Sequence, residues 1–362
     1  MNIKSTLTNS YDYVIFLVLF LVLVPLGYAL DLISINTVSL WGRYFCFAIA
    51  AIGVDILWGY AGILCLCQAF FFCVGGYGIA MHMLLVNSGT GTYGAKIPDF
   101  MVWNQVKSLP FFWEPFHTFP ITLIASLIIP ALFAGIFGYF IFRSRLKGVY
   151  FAIITQALAL AMWLLFLRNE TMLGGTNGLT DFKTILGFDL TASSTKLSLY
   201  LASCLVLIGV YLLTKKLVNS KFGKVLVAIR DSESRIRYTT YQVQDYKLAV
   251  FVFAAILAAI GGMLYVPQTG IITPGRMEVK ASIEMIVWVA LGGRGKLKGA
   301  ILGTLLVNFL YSVFTSLFPG SWLYILGVLF IVTVLYFSDG LIGFPKLWDR
   351  VSSKYRKIYI ER

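Results

Sequence analysis

LSLYLASCLVLIGVYLL at residues 197–213 and LAVFVFAAILAAIGGMLYV at residues 248–266 flank a basic segment, Lys215–Lys247. Each apolar stretch is long enough, or nearly so, to cross a bilayer, which takes about 20 predominantly apolar residues. The segment between them carries five lysines and three arginines against three acidic residues. It is too long for a simple turn and is patterned as a helix. The sequence therefore predicts a loop between two membrane helices that offers a surface to a cytoplasmic partner.

The composition of the whole chain is that of a membrane protein. Of its 362 residues, 59% are hydrophobic and only 12% are charged, and the mean hydropathy is +0.84. Soluble domains are about a quarter charged. Apolar segments recur from end to end, so we expect one all-α polytopic domain over residues 1–362. The net charge of +13 is explained by lysine and arginine in cytoplasmic loops, and no nucleic-acid partner is expected.

Ten apolar segments predict about nine to ten transmembrane helices, some of them broken or re-entrant. The segments are residues 13–30, 41–58, 63–86, 120–142, 149–167, 197–214, 248–266, 282–291, 300–317 and 322–337. The first has a weak likeness to a signal peptide but is expected to remain as an uncleaved span. The eighth is too short for a full crossing unless it is tilted, re-entrant or continued beyond Gly292.

Clusters of lysine and arginine predict the orientation of the chain in the membrane. The clusters at residues 143–147, 215–247 and 294–298 and the basic tail at 338–362 are expected in the cytoplasm. The long segments with sparse or mixed charge, residues 87–119 and 168–196, are expected to face outward. With about ten crossings, both termini are predicted to be cytoplasmic, in a multi-pass protein of the cell (inner or plasma) membrane.

Two glycine-rich interruptions break the apolar pattern, at residues 58–78 and 291–299. Irregular backbone at membrane depth persists only where protein or a watery cavity satisfies its polar groups. In transporters, glycine-interrupted segments often mark the translocation pathway. The alternative is that the glycines only allow helices to pack closely. The second interruption, with Arg294, Lys296 and Lys298, is equally compatible with an ordinary cytoplasmic turn.

Polar side chains inside the predicted spans are few, and such groups usually face a bundle interior or a cavity. We predict a substrate pathway lined by Asp55, Tyr60, Gln68, Tyr77 and Gln156. The alternative role for these residues is hydrogen bonding between neighbouring helices. Glu284 and Arg43 are expected near the outer interface, and Asn308 is expected to have a packing role.

The sequence contains no catalytic or metal-binding constellation. His82 and His117 are the only histidines, and neither has a nucleophile or an acidic cluster at a suggestive spacing. The five cysteines lie in apolar runs without a CxxC, which supports neither a metal site nor a disulfide framework. There is also no GxxxxGK[ST] phosphate-binding loop. We therefore expect a chain that is not an enzyme and binds no cofactor itself.

The basic segment contains the pattern of an amphipathic helix. Apolar residues recur in it at i, i+3, i+4 and i+7, from Phe222 to Ile229. Such a helix can rest on a membrane surface or insert into a groove on a protein. The acidic residues interleaved with the bases favour a protein partner. The predicted contact residues are Phe222, Val225, Leu226, Ile229, Arg230, Asp231 and Glu233.

Five motifs, in order, resemble permeases of the branched-chain amino acid ABC importer family. They are residues 59–64 with 71–77, residues 147–155, 174–180, 223–233 continuing to 246–248, and 284–295. The resemblance covers roughly residues 40–340. Within the family, residues 67–68, 102–105, 169–171 and 181–187 are most similar to the second permease subunit of the urea importer. The chain departs from the family at Cys65-Leu-Cys-Gln68, where Ser-Leu-Gly-His is usual, and at Thr240, where glycine is normal.

The resemblance implies an assembly. It comprises a second homologous permease subunit, two cytoplasmic ATPase subunits that bind ATP and Mg²⁺, and an extracytoplasmic solute-binding protein. The loop at 215–247 would hold a coupling helix seated in a groove of one ATPase. From the narrower resemblance, the expected function is to form half of the translocation pathway for urea. A zwitterion would need charged partners, of which the spans have few. The alternatives are the same importer class carrying branched-chain amino acids or short amides, and a passive channel or ion-coupled transporter.

Overall fold

A computed structural model of the chain describes residues 18–88, 97–106, 108–144 and 148–317, with a few single residues between 320 and 340. Over these ranges the chain is almost entirely α-helical. Seven of its helices are long and apolar enough to cross a membrane, and a shorter apolar helix precedes them. The predicted all-α polytopic membrane fold is therefore confirmed.

Most helices follow one another with short connections, and the two long connections lie between α3 and α5 and between α6 and α7. In the described part of the chain they are α1 (Val18–Ala29), α2 (Ile35–Asp55), α3 (Gln68–Val86), α4 (Asp99–Trp103), α5 (Phe119–Arg143), α6 (Val149–Phe166), α7 (Ser193–Asn219), α8 (Lys221–Ile236), α9 (Val243–Thr269), α10 (Val279–Gly292) and α11 (Leu297–Leu317). Short 3-10 helices cover Phe111–His117, Asn169–Thr171, Gly175–Asn177 and Pro274–Met277. A small hairpin pairs β1 (Thr184–Ile185) with antiparallel β2 (Phe188–Asp189).

Helices α5, α7, α9 and α10 extend their predicted spans by one to five residues at each end, whereas α3 begins five residues after the predicted start of the third span. The short eighth segment is a helix of 14 residues, α10, which is about 21 Å long at 1.5 Å per residue. That length is below the roughly 30 Å of a bilayer core, so α10 does not cross it alone. The predicted tenth span, residues 322–337, and the tail at 338–362 lie almost wholly outside the described residues and stay predictions.

The core of the bundle is built around α2, α3 and α9. A Cβ atom at Gly262 of α9 would overlap the carbonyl oxygen of Phe72, and one at Gly75 of α3 would lie 2.6 Å from the Cα of Ala259. Glycine at these positions lets the two backbones touch, as small residues do in membrane helix pairs. Close packing of α3 against α9 therefore accounts for Gly75 in the later part of the first interruption.

The earlier part of that interruption is a change of backbone geometry at the end of α2. Residues Ile56–Tyr60 form a π-helical turn, and π turns inside helices often mark functional sites. Irregular chain follows as far as α3, and side chains of other helices accept hydrogen bonds from backbone amides here and in the first turn of α3. The Leu66 amide donates to Thr155 Oγ1 at 3.1 Å, and the Ala69 amide donates to Ser282 Oγ at 3.1 Å.

The segments between α3 and α5 and between α6 and α7 pack as ordered caps where they are described. Trp113 is fully buried, and a ring nitrogen of His82 forms a 2.8 Å hydrogen bond with the Phe116 carbonyl. His82 thus joins α3 to the cap, which is a structural role. The five cysteines are buried and free of disulfides.

Candidate functional site

Helix α8 packs on the chain's own bundle through its apolar stripe. Leu226 is fully buried and Ile229 is 2% exposed. Phe222 stacks on Tyr246 of α9, with ring centroids 5.3 Å apart. The helix is kinked at Ser232, whose φ of −157° and ψ of 78° are not helical.

This packing corrects one interpretation drawn from the sequence. Leu226 and Ile229 do not project outward to enter a groove on a partner, because the groove that they fill belongs to this chain. Val225 is half-buried, while Lys221, Lys224 and Asp231 are exposed. Any partner that docks on α8 contacts this second face.

The C-terminal half of α8 is hydrogen-bonded to the π-helical turn. Arg230 Nη1 donates to the carbonyl oxygen of Gly59 at 2.6 Å, and its Nε donates to Asp231 Oδ1 at 2.9 Å. Gly62 has a φ of +73°, which favours glycine. A Cβ atom there would also lie 2.9 Å from Arg230 Cγ. The close approach of α8 therefore depends on glycine in the irregular chain.

The same end of α2 holds the turn between α10 and α11. Asp55 Oδ1 accepts a hydrogen bond from the Gly295 amide at 2.7 Å. Arg294 Nε donates to the Trp58 carbonyl at 3.1 Å, and its guanidinium lies 4.8 Å from the centre of the Trp58 ring. The hydroxyl of Tyr60 is within hydrogen-bonding reach of the Leu297 backbone. We name the set of Asp55, Trp58, Gly59, Arg230, Arg294 and Gly295 the junction.

The junction has no room for a side chain at Gly59. A Cβ atom there would overlap Asp55 Oδ1 and would lie 2.5 Å from the Gly295 nitrogen. The junction also concentrates charge. Burial lowers the pKa of the Arg294 guanidinium, and the nearby positive charge of Arg230 lowers that pKa further. The negative charge of Asp55 acts in the opposite direction. Three chain segments thus meet in a small, charged and closely packed contact.

A second contact attaches α8 to α9 beyond the kink. Glu233 accepts hydrogen bonds from Arg237 Nη2 at 2.6 Å and from Lys247 Nζ at 3.0 Å. Burial alone would raise the pKa of Glu233, but the hydrogen bonds and charges of Arg237 and Lys247 outweigh it and lower that pKa below its ordinary value. The ionised form of Glu233 is therefore the one that stabilises the fold.

This contact predicts an acid-sensitive stabilisation. Because the pKa of Glu233 is lower in the folded state, its contribution is complete above the ordinary value of 4.5 and is lost as the pH falls through the lowered value. We expect Glu233→Gln to lower the melting temperature at neutral pH, and the difference from the unmodified chain to vanish on acidification. Glu170→Gln, at the exposed surface, is the control. A difference that persists at low pH would contradict this account.

A cavity of about 340 Å³ lies towards the other end of α2. Arg43, on its wall, is 12 residues from Asp55, or about 18 Å along the helix at 1.5 Å per residue. Helices α2, α9, α10 and α11 line the cavity together with residues next to α10. Its charged residues are Arg43, Arg276, Glu278, Lys280 and Glu284, and its aromatic wall includes Phe47, Tyr265 and Trp288.

Two helices join the junction to the cavity. Helix α2 carries Arg43 and Phe47 at the cavity and Asp55 at the junction. Helix α10 carries Glu284 and Trp288 at the cavity and ends at Gly292, directly before the turn that Asp55 holds. Hydrogen bonds and two helices therefore connect α8 to the walls of the cavity.

The structure does not bring the five predicted pathway residues together. Asp55 and Tyr60 lie at or beside the junction. Gln68 is fully buried at the start of α3, and Tyr77 is buried with its ring 5.1 Å from that of Phe166. Gln156 is exposed on α6. None of the five is among the residues that line the cavity, so their part in a pathway stays a hypothesis.

The cavity is not identified from the sequence, because only polar groups inside the predicted spans are considered there. Arg276 and Lys280 lie outside the predicted spans, so a search for polar groups inside spans passes over them. Arg43 and Glu284 lie in different predicted spans, and each of them taken alone is predicted to lie near the outer interface. One usable signal was present: four of the five charges fall within residues 276–284, directly before and inside a short apolar segment.

Comparison with known proteins identifies relatives along most of the chain. The family model described as "Branched-chain amino acid transport system / permease component" matches residues 36–335. The protein named "Probable branched-chain amino acid transport permease protein LivM" of Methanocaldococcus jannaschii is 29% identical, over 87% of this chain and 94% of that protein. The high-affinity branched-chain amino acid transport system permease protein LivM of Escherichia coli K12 is 22% identical, over 86% of this chain and 71% of that protein.

More distant relatives are named for other solutes. The ribose import permease protein RbsC of Haemophilus influenzae is 19% identical, over 63% of this chain and 71% of that protein. No solved structure matches the chain. The similarity therefore indicates import permeases as a class more firmly than it indicates any one solute.

Proposed function

The chain belongs to the family of branched-chain amino acid transport system permease components, and we propose on this premise that it is a membrane-spanning permease subunit of an ATP-driven importer. The observation that carries the proposal is a series of hydrogen bonds: Arg230 of α8 donates to Gly59 in the turn after α2, and Asp55 and Trp58 at the same end of α2 accept from the turn after α10. ATP hydrolysis would take place in partner ATPase subunits, which bind ATP and Mg²⁺. This chain would convert their movement into a change of the cavity.

The coupling step is a movement of the junction as one unit. An ATPase would bind the exposed face of α8, on which Lys221 and Lys224 lie. Arg230 would carry the displacement to Gly59, and Asp55 and Arg294 would carry it to the turn before α11. Such a shift changes the access of solute only if the ATP-bound ATPases bind one state of the permease more tightly than the other.

The proposed assembly and orientation follow from family membership and charge. We place the α8 end of the bundle and both termini in the cytoplasm, in the cell membrane. A second permease subunit completes the pathway, and a solute-binding protein delivers the solute from outside. Helix α5 has a largely exposed apolar face that includes Ile124, Ile128, Leu132 and Ile136, which suits lipid.

For the solute, the relatives support a branched-chain amino acid better than urea, and we propose the amino acid. Urea is retained as the second candidate because of the departure at Cys65-Leu-Cys-Gln68. There, Gln68 places a neutral amide in the core, and its Oε1 has no hydrogen-bond partner among the described residues.

Competition in an uptake assay separates the two solutes. Intact cells that carry the whole importer should take up labelled leucine, and unlabelled isoleucine should reduce this uptake while urea does not, because one site serves both aliphatic amino acids. Uptake of labelled urea that isoleucine leaves unchanged would overturn the assignment. Depletion of ATP should stop uptake, whereas a channel or an ion-coupled transporter would continue.

Docking of the ATPase on α8 is tested by reversing one exposed charge. We expect Lys224→Glu to reduce the amount of ATPase that co-purifies with the permease, because it changes the charge of the proposed contact face. The effect of one exposed charge is about tenfold or less in affinity. Lys216→Glu makes the same change on the exposed end of α7 and is the control. Equal recovery of ATPase with both variants would contradict the proposed face.

A further inference from the structure

The cavity holds charged groups of both signs, of which Arg276 and Lys280 are exposed and act electrostatically on Glu284. Arg43, Arg276 and Lys280 face it together with Glu278 and Glu284. None of the five makes an ion pair within the part of the chain that the structure describes, and the Nε of Arg43 is buried there without a hydrogen-bond partner. Unpaired charges next to apolar helices are costly and usually functional. The arrangement is that of a site prepared for a ligand with complementary charges.

An apolar wall adjoins these charges. The rings of Phe47 and Tyr265 lie 5.1 Å apart between centroids, and Phe47 lies 5.2 Å from Trp288. Arg276 is held over this wall, 5.8 Å from the centre of the Phe47 ring and 5.5 Å from that of Tyr265. A cation over aromatic faces is held in place while it keeps its hydrogen-bond donors. The wall therefore both positions a guanidinium and offers apolar surface.

We propose, building on the proposed importer function, that this cavity binds a free aliphatic α-amino acid as a zwitterion. The carboxylate binds Arg43 and Arg276, whose planar guanidinium groups match a carboxylate in two-pronged hydrogen bonds. The ammonium group binds Glu284, and the aliphatic side chain lies against Phe47 and Trp288.

The size and the charge of the cavity both favour this class of ligand. A volume of about 340 Å³ is at the small end of ligand pockets, which measure about 300–1,000 Å³. A neutral solute such as urea would leave the opposed charges without partners, and an unpaired group of this kind lowers affinity. A zwitterion pairs with the positive and the negative side chains at once. The cavity therefore supplies the charged partners that a zwitterion needs, of which the predicted spans have few.

The test is protection of a cysteine placed in the cavity. Ala281, on α10, is half-buried and lines the cavity, and the five native cysteines are buried. In the purified importer complex, a charged maleimide should label Ala281→Cys. Leucine at about ten times its Kd should slow this labelling about tenfold, because only the unoccupied fraction reacts. Urea at the same concentration should have no effect.

Two control variants make the result specific. Ser193→Cys, at the exposed start of α7, should be labelled at the same rate with and without leucine. Adding Glu284→Gln to Ala281→Cys should weaken protection by about tenfold or more, measured against that double variant's own rate without leucine, since a hydrogen bond to a charged group is lost.

Three results would overturn the proposal: labelling that leucine does not slow, protection by urea in place of leucine, and no labelling at all in the assembled complex. A parallel measurement of ATP-dependent leucine uptake by the unmodified importer separates the two levels of the argument. If the importer takes up leucine but leucine does not protect the cysteine, the cavity assignment is wrong and the proposed function stands. If the importer does not take up leucine, the proposed function is wrong.

Discussion

Replacing Gly59 by alanine is expected to abolish most ATP-dependent uptake while the chain still folds and assembles. The added Cβ would overlap Asp55 Oδ1 and lie 2.7 Å from the Gly295 Cα, so either the π-helical turn or the turn after α10 must move. Overpacking of this kind costs about 1–3 kcal/mol, which corresponds to roughly 5- to 150-fold in the population of the intact junction. Uptake by the assembled importer is the measurement.

The matched control for this change is Gly209→Ala on α7. Gly209 has nothing within 4 Å of its Cβ position, and alanine is the better helix former. The φ of Gly59 is not positive, so alanine meets no backbone strain there and the two variants differ only in their neighbours. Gly209→Ala should transport normally. Normal uptake by Gly59→Ala would show that the junction tolerates rearrangement and would remove it from the mechanism.

The second large effect is expected at Asp55, where two substitutions of similar size should differ. Asp55→Asn keeps an oxygen that accepts from the Gly295 amide, and Asp55 Oδ2 has no hydrogen-bond partner among the described residues. Asp55→Leu leaves that amide unpaired in a buried contact, which costs about 1–3 kcal/mol. We therefore expect near-normal uptake for Asp55→Asn and a loss of about tenfold or more for Asp55→Leu.

This pair of variants also separates two roles for Asp55. If the carboxylate lined the substrate pathway, removing its charge would change the selection of solutes, and Asp55→Asn would alter relative uptake of leucine and urea. If it holds the turn between α10 and α11, only the acceptor oxygen matters. A severe defect in Asp55→Asn, with the complex intact, would contradict the junction role.

The sequence predicts the spans well because hydrophobic length is a local property. Each of α5, α6, α7, α9 and α11 lies within a few residues of its predicted segment. The period of the apolar stripe in α8 is also correct. The period does not identify the surface against which the stripe packs. For this reason the pattern predicts that Leu226 and Ile229 contact a partner, whereas the chain itself buries them.

The junction and the cavity depend on contacts between distant parts of the chain. Asp55 meets Gly295 across 240 positions, and Arg230 meets Gly59 across 171. No local pattern encodes these contacts. Gly59 and Gly295 lie in the two glycine-rich interruptions of the sequence. A glycine indicates that another group approaches the backbone closely, but it does not identify that group. In the cavity, Arg43 of α2 lies with the four charges at residues 276–284, and these two parts of the chain become neighbours only in the folded protein.

The most direct test of the coupling route is the ATP dependence of cysteine labelling in the cavity. The rate at which a maleimide labels Ala281→Cys should change when ATP is added to the purified importer complex. In the double variant with Gly59→Ala, the ATPases should remain bound and hydrolyse ATP, but the labelling rate should no longer respond. An equal ATP-dependent change in both complexes would contradict the claim that the junction connects α8 to the cavity.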